Sequence, residues 1–290
     1  MSKDARVGRA SLLLWTSPAN FNNSKTAFDL GSGNILMSYK IARYGWLPDL
    51  PDERDHFYAA PVELAGVLPA KVDLRPQCPP VYDQGQLGSC TANAIAGAIE
   101  FDRMKQSLAQ IFTPSRLFIY YNERAIEHTI DSDSGAQIRD GIKSVGKQGD
   151  CAETEWPYVI ARFKTRPAPR CYAAALKYRA VLYQRLTPIL SQLKGCLASG
   201  YPFVFGFTVY ESFESAQVAR TGHASLPKSG ERAIGGHAVA GVGYDDAKQW
   251  FVVRNSWGGQ WGMKGYFTLP YAYVTDDNLA SDFWTIRVVQ

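Results

Sequence analysis

Cys90 ends the stretch "QGQLGSC" and leads into "TANA", so a thiol stands where a polar, glycine-rich turn becomes a helix. A thiol attacks a carbonyl carbon well only as its thiolate, and with a free pKa of about 8.5 it is mostly protonated at neutral pH. The unpaired N–H groups and macrodipole of a helix N-terminus favour the anion. A neighbouring imidazolium would complete the ionisation. Of the four histidines, His56 lies in an N-terminal leader, while His128 in "EHTIDSDSG" and His223 in "RTGHASLPKSG" read as solvated surface residues. His237 is different. It is the only titratable side chain of the strand-like run "GGHAVAGVGY", and a partly buried imidazole needs a partner.

A hairpin made of that run and "QWFVVRNSW" supplies one. With "DDAK" as the turn, Tyr244 faces Gln249, and His237 falls opposite Ser256, next to Asn255. A slip of one or two residues still brings the two ends together. Asn255 can accept a hydrogen bond from the imidazole and hold its tautomer. Taken singly, Asn255 reads as a turn former and the hairpin as an ordinary core element.

Taken together, "QGQLGSC", "GGHAVAGVGY" and "NSWGGQWGMKGY" resemble the papain-like (C1) cysteine peptidases. The resemblance runs from "LPAKVDLRPQ", which looks like the family's mature N-terminus, to the end of the chain, and includes "WPY". His237 follows Cys90 within the family's range of about 130–150 positions, and Asn255 comes somewhat later. The resemblance implies that Cys90 is the nucleophile, His237 the general base and acid, and Asn255 the residue that orients the imidazole. Gln84 matches the oxyanion-hole glutamine, acting with the backbone N–H of Cys90. Trp257 matches the tryptophan that covers the His–Asn hydrogen bond. "DSGAQIR" aligns with the family's substrate-binding strand, so Gly135, Ala136, Gln137 and Ile138 are candidate substrate contacts, together with Gly236 and Trp257. There the backbone of Ala136 would pair with an extended peptide. Where the family has a glycine pair, this chain has Gly135-Ala136.

Two further departures stand out. Thr91 follows the nucleophile where the family usually has an aromatic residue, and Leu87 stands where the family has a disulfide cysteine. Cys171 finds no obvious partner upstream. The five cysteines are odd in number and show no CxxC spacing, so a disulfide framework or a zinc site is poorly supported. No metal or cofactor is expected. This usage fits bacterial members that lack the usual disulfides, in the cytoplasm or exported without a clear signal peptide.

The resemblance implies an α+β, two-lobed fold. A helical lobe over about 69–182 and an antiparallel, β-barrel-like lobe over about 183–290 would flank the active-site cleft. Helix candidates come first, in "TANAIAGAIEFDRMKQSLAQ", "TPSRLFIYYNERAIEH" (capped at Thr113 and Pro114), "GAQIRDGIKSVGKQG" and "TPILSQLKGCLASG". Strand candidates follow, in "YPFVFGFTVY", the hairpin, "KGYFTLP" and "FWTIRVV". Residues 1–68 read as a leader. "WTSPANFNNSKTAFDLGSGN" lacks periodicity, and "YGWLPDLPDERDHFY" is extended or turn-like. Tyr44, Trp46, Phe57 and Tyr58 are costly to leave in water, so the leader should lie on the following domain.

Bulk composition narrows the partners. With 46% apolar and 20% charged residues there is material for a core. A net charge of +4 without a dense basic stripe argues against nucleic acid. No apolar run reaches the roughly 18 residues that would cross a bilayer, and "ASLLLW" is short for a secretory segment. The expected function is a zymogen-like thiol endopeptidase acting through a thioester, with polypeptide substrates. Its further partners would be cystatin-type inhibitors and its own leader over the cleft. The alternative is a non-catalytic peptide-binding protein on the same fold.

Overall fold

The computed structural model of the protein describes residues 40–41, 43–61 and 68–290. "ASLLLW" and "WTSPANFNNSKTAFDLGSGN" lie outside the described residues. In chain order the elements are β1 (Trp46–Leu47), β2 (Lys71–Asp73), α1 (Cys90–Lys105), α2 (Arg116–Ile126), β3 (Ala136–Gln137) and α3 (Ile138–Lys147). There follow α4 (Pro169–Ala175), β4 (Ala180–Arg185), α5 (Leu190–Ala198), β5 (Phe203–Tyr210), α6 (Ala216–Thr221) and β6 (Ala233–Asp245). The chain closes with β7 (Trp250–Arg254), β8 (Tyr266–Pro270), α7 (Tyr271–Val274) and β9 (Ala280–Val289).

The Ala- and Gly-rich α1 is buried from Cys90 to Arg103 without interruption. Small side chains let neighbours approach on every side: at Gly97 a Cβ would sit 3.1 Å from Arg254 Nε. The second helix starts later than the expected Thr113–Pro114 cap. Ser115 is its N-cap and accepts from Phe118 N at 3.1 Å, while Pro114 bridges to Ala152. The Ser115 hydroxyl can reach an orphan helix N–H, and Thr113 lies too far upstream.

Seven strands form one sheet in the order β4-β9-β5-β6-β7-β8, with β2 added to the far half of β6. The sheet is open, with β4 and β8 at its ends, so the barrel-like expectation is corrected among the described residues. β5 shows how the sheet divides two cores. Phe203, Phe205, Phe207 and Val209 enter one apolar cluster with Phe251, Phe267 and Phe283. Val204, on the opposite face, enters a second cluster with α1, α2 and α3. Period-2 alternation thus sends one face to each lobe.

The β6–β7 register differs from the sequence expectation. Tyr244 faces Phe251 and Asp245 faces Trp250, with a bulge between Gly241 and Gly243. The turn extends through Gln249, which adopts a left-handed conformation at φ 56, and this shifts the pairing by two residues. Neither change separates the hairpin's ends.

Residues 40–61 belong to the same compact unit, Tyr39–Gln290. Trp46 and Tyr58 are buried and Tyr44 half-buried, as expected, but Phe57 is 60% exposed. Phe57 is held through its backbone bridge to Arg185 rather than by its ring.

Candidate active site

Cys90 is the first residue of α1. Its N-cap residue, Ser89, does not spend its hydroxyl on the first helical turn. That oxygen meets Tyr158 Oη at 2.5 Å and accepts from Asn93 Nδ2 at 3.1 Å. The first-turn N–H groups therefore remain for an anion. Gln84 is fully buried beside this turn. Its Oε1 accepts from Ser256 Oγ at 2.6 Å, and one amide hydrogen goes to the Leu87 carbonyl at 2.9 Å. Gly88 N donates to Asp133 at 3.1 Å. Thr91 also finds its reason: its hydroxyl donates to Glu123 Oε2 at 2.8 Å, both residues being fully buried.

His237 sits on β6 and is fully buried. Its Nε2 meets Asn255 Oδ1 at 2.8 Å, the same oxygen that accepts from Ser256 N. That backbone bond fixes the amide flip, so the imidazole Nε2 carries the hydrogen, and Nδ1 is the nitrogen left for another partner. The Trp257 indole stacks on the imidazole at 5.0 Å between ring centroids and 29° between planes. It shields the His–Asn bond from water.

Burial works against the expected ion pair. Burial pushes the Cys90 thiol up to about 12, against the N–H groups of Ala238 and Gly45 that face the sulfur. Burial pushes the imidazole of His237 down to about 4, with the Asn255 hydrogen bond opposing. His237 Nδ1 has no hydrogen-bond partner. The physical cause is dehydration of the cleft, because both groups are cut off from water that would support their charges.

What covers them is the leader. Tyr44 lies edge-on to His237 at 6.1 Å, and its hydroxyl donates to Glu214. β1 pairs in parallel with β3, matching Trp46 with Ala136 and Leu47 with Gln137, and Ala136 N donates to Gly45 O at 2.8 Å. Gly45 must be glycine here, since a Cβ would stand 1.8 Å from the Gly88 carbonyl oxygen. The Trp46 indole fills a recess in which a Cβ on Gly206 would lie 2.0 Å from it and one on Gly236 2.6 Å. Its Nε1 donates to Asp282 at 3.1 Å.

Beyond the cleft the leader turns polar. Asp49 N donates to Asp282 at 2.8 Å, and the Asp49 carboxylate accepts from Arg139 N at 3.0 Å and Trp284 Nε1 at 2.9 Å. Burial, then the Asp282 charge, raise the Asp49 carboxyl to about 6. Asp52 pairs with Lys143 at 2.7 Å, and Asp55 with Arg139 at 2.5 Å and Arg185 at 3.2 Å.

The structure thus sets the Cys90 sulfur against the N–H of Ala238, the neighbour in sequence of His237. It joins His237 to Asn255 and Trp257 and Gln84 to Ser256, and lays Gly45 and Trp46 along Gly135, Ala136, Gln137 and Gly236. Ile138 is fully buried in the helical core, in the same cluster as Trp46. His128 and His223 are exposed, though His223 stacks on Trp250 at 5.1 Å. Sequence reasoning missed Asp282, Glu214 and the Arg139–Arg185 clamp. The acidic spacing of "DLPDERD" was the available signal. It also missed that Cys171 has a neighbour, Cys151.

Comparison with known proteins agrees with this geometry. The model of the papain family cysteine proteases matches residues 68–282. An uncharacterised peptidase C1-like protein, L477 of Acanthamoeba polyphaga mimivirus, is 46% identical over 270 residues, covering 85% of this chain and 87% of the relative. The crystal structure of xylellain, a cysteine protease from Xylella fastidiosa, is 45% identical with a TM-score of 0.82, covering 89% of this chain and 100% of its own. Procathepsin B S9 from Trypanosoma congolense shares the fold at 18% identity and a TM-score of 0.67, covering 85% of this chain and 86% of its own. With the thiol at a helix tip, the His–Asn pair on the facing sheet and the family match across most of the chain, the protein belongs to the papain family of cysteine proteases.

Proposed function

We propose that this protease is an endopeptidase whose own residues 40–61 hold it latent. The observation that carries the reading is the path of the leader. It runs through the cleft and continues past both ends, from Lys40, whose carbonyl accepts from Gln86 at 3.1 Å, to Ala60, whose N–H donates to Gln192 at 2.9 Å. A groove open at both ends takes the interior of a polypeptide rather than a terminus.

In this reading His237 takes the Cys90 proton once the cleft is wet. The thiolate then adds to the scissile carbonyl, and the oxyanion is held by the Cys90 N–H and the free amide hydrogen of Gln84. Collapse expels the amine, which takes the proton from His237, and leaves a thioester that water hydrolyses. Asn255 keeps the imidazole turned toward the sulfur. Ala136 and Gln137 would pair with the substrate backbone, with Gly135 and Gly236 giving it room. The leader escapes cleavage because Gly45 turns an N–H, not a carbonyl carbon, toward the sulfur, and its carbonyl is committed to Ala136 N. Cystatin-type inhibitors would have to compete with the leader for the same groove.

The test compares the full chain with residues 69–290 on internally quenched peptides. The truncated chain should turn over at least about 10²-fold faster, and Cys90→Ser should abolish cleavage. Equal turnover rejects control by the leader. Peptide binding without cleavage by the truncated chain would favour the non-catalytic binder.

A further inference from the structure

Cys151 and Cys171 lie outside the site just described. Cys151 follows α3, Cys171 sits within α4, and both are fully buried in the helical-lobe core. Their sulfur atoms and a Glu155 carboxylate oxygen all lie within 4.8 Å of one another. The surrounding backbone is fixed: Ser115 N donates to Cys151 O at 2.8 Å, and Cys171 N to Ala168 O at 2.9 Å. Two thiols, 20 positions apart in sequence, are thus held face to face by the fold.

Two chemistries could use such a pair. A soft metal ion would need both sulfurs as thiolates, yet burial pushes the Cys151 thiol up, as do the neighbouring Cys171 and then the acidic Glu155 and Asp150. The donors number three, with no histidine among them, whereas structural thiolate sites take four ligands. A disulfide, by contrast, is neutral and apolar and suits an enclosed site.

We propose that Cys151 and Cys171 form a disulfide when the chain meets an oxidant of the glutathione-disulfide class. One cysteine loses its proton and attacks the carrier disulfide, expelling one carrier thiolate. The second cysteine, deprotonated in turn, attacks the protein sulfur of the mixed disulfide and expels the other. The protein loses two hydrogens as two protons and two electrons, and one carrier disulfide becomes two carrier thiols. The exchange takes place on the folding chain, before burial closes over both sulfurs.

The bond ties the segment between them, which reaches the catalytic loop from behind. Tyr158, within that segment, donates to the Gln84 carbonyl at 2.9 Å and meets Ser89 Oγ at 2.5 Å. Oxidation would therefore brace the protein at this one cysteine pair.

The experiment uses the full chain carrying Cys90→Ser, which leaves four of the five cysteines, so that the site thiol does not confuse the count. After refolding in glutathione disulfide and then denaturation, alkylation should find two free thiols, and peptide mapping should link Cys151 to Cys171. The unfolding midpoint should rise by about 5–10 °C over the reduced protein, as expected for a crosslink of this loop length. Adding Cys171→Ser should remove both the link and the shift. Four free thiols after oxidation, a link between other cysteines, or an unchanged midpoint would overturn the proposal. So would one zinc ion per chain, bound in added zinc sulfate and protecting both thiols from alkylation.

Discussion

The leader's two halves hold the protein by different physics. Residues 44–46 occupy the cleft with a strand pairing and two aromatic rings, and Trp46 is only 8% exposed. Residues 49–55 lie beyond it and hold by ion pairs of Asp52 and Asp55 with Lys143, Arg139 and Arg185, and by hydrogen bonds from Arg139 N and Trp284 Nε1 to the Asp49 carboxylate. In the proposed latency the first half would decide whether sulfur and imidazole see water, and the second how long the first half stays in place.

The largest expected effect is on the protonation of Cys90. Covered, its thiol is raised to about 12 and stays protonated throughout the neutral range. Iodoacetamide should therefore label the full chain slowly at pH 6, with a rate that climbs as pH rises. After removal of residues 1–68 the rate at pH 6 should increase about 10²–10³-fold and become nearly flat between about pH 5 and 8, as for an ion-paired thiolate. A flat, fast profile in the full chain would remove any role for the cleft half.

Next in size is Trp46→Ala. Truncating a buried tryptophan costs about 3–5 kcal/mol. If about 3 kcal/mol of that falls on docking, the open population of the full chain rises about 10²-fold, read as basal turnover, with turnover of the 69–290 chain as the ceiling.

The anchoring half should respond more weakly and unevenly. Asp55 and its partner Arg139 are 2% and 4% exposed. Asp55→Ala breaks a buried, hydrogen-bonded pair and should raise basal turnover about tenfold, with little dependence on salt. Asp52 pairs with Lys143, whose side chain is 35% exposed. Asp52→Asn should change turnover by no more than about twofold, an effect erased by salt. If these two variants behave alike, the anchor is a diffuse field rather than a buried clamp.

The sequence discloses local matters and hides non-local ones. Cys90 at the tip of α1 was legible because a glycine turn running into alanines is a pattern of adjacent residues. The meeting of His237 and Asn255 was legible although the hairpin register slipped, because the two-residue offset at the turn falls to one beyond the bulge, at Ala240 and Arg254, within the reach of an imidazole and an amide. The slip came from Gln249, a non-glycine residue in a left-handed turn that composition does not announce. Thr91 read as a departure until Glu123, from a different helix, came to face it. The proximity of Cys151 to Cys171, and of Asp49 to Asp282, depends on how distant segments pack. No periodicity encodes that.

Because the blocking strand belongs to the same chain as the groove it fills, its local concentration there is set by the tether rather than by the amount of protein. In the proposed latency, a nick in the chain after residue 61 would break that tether. The severed strand would remain seated until diluted away, so the cut and the awakening of the enzyme are two events with different concentration dependence.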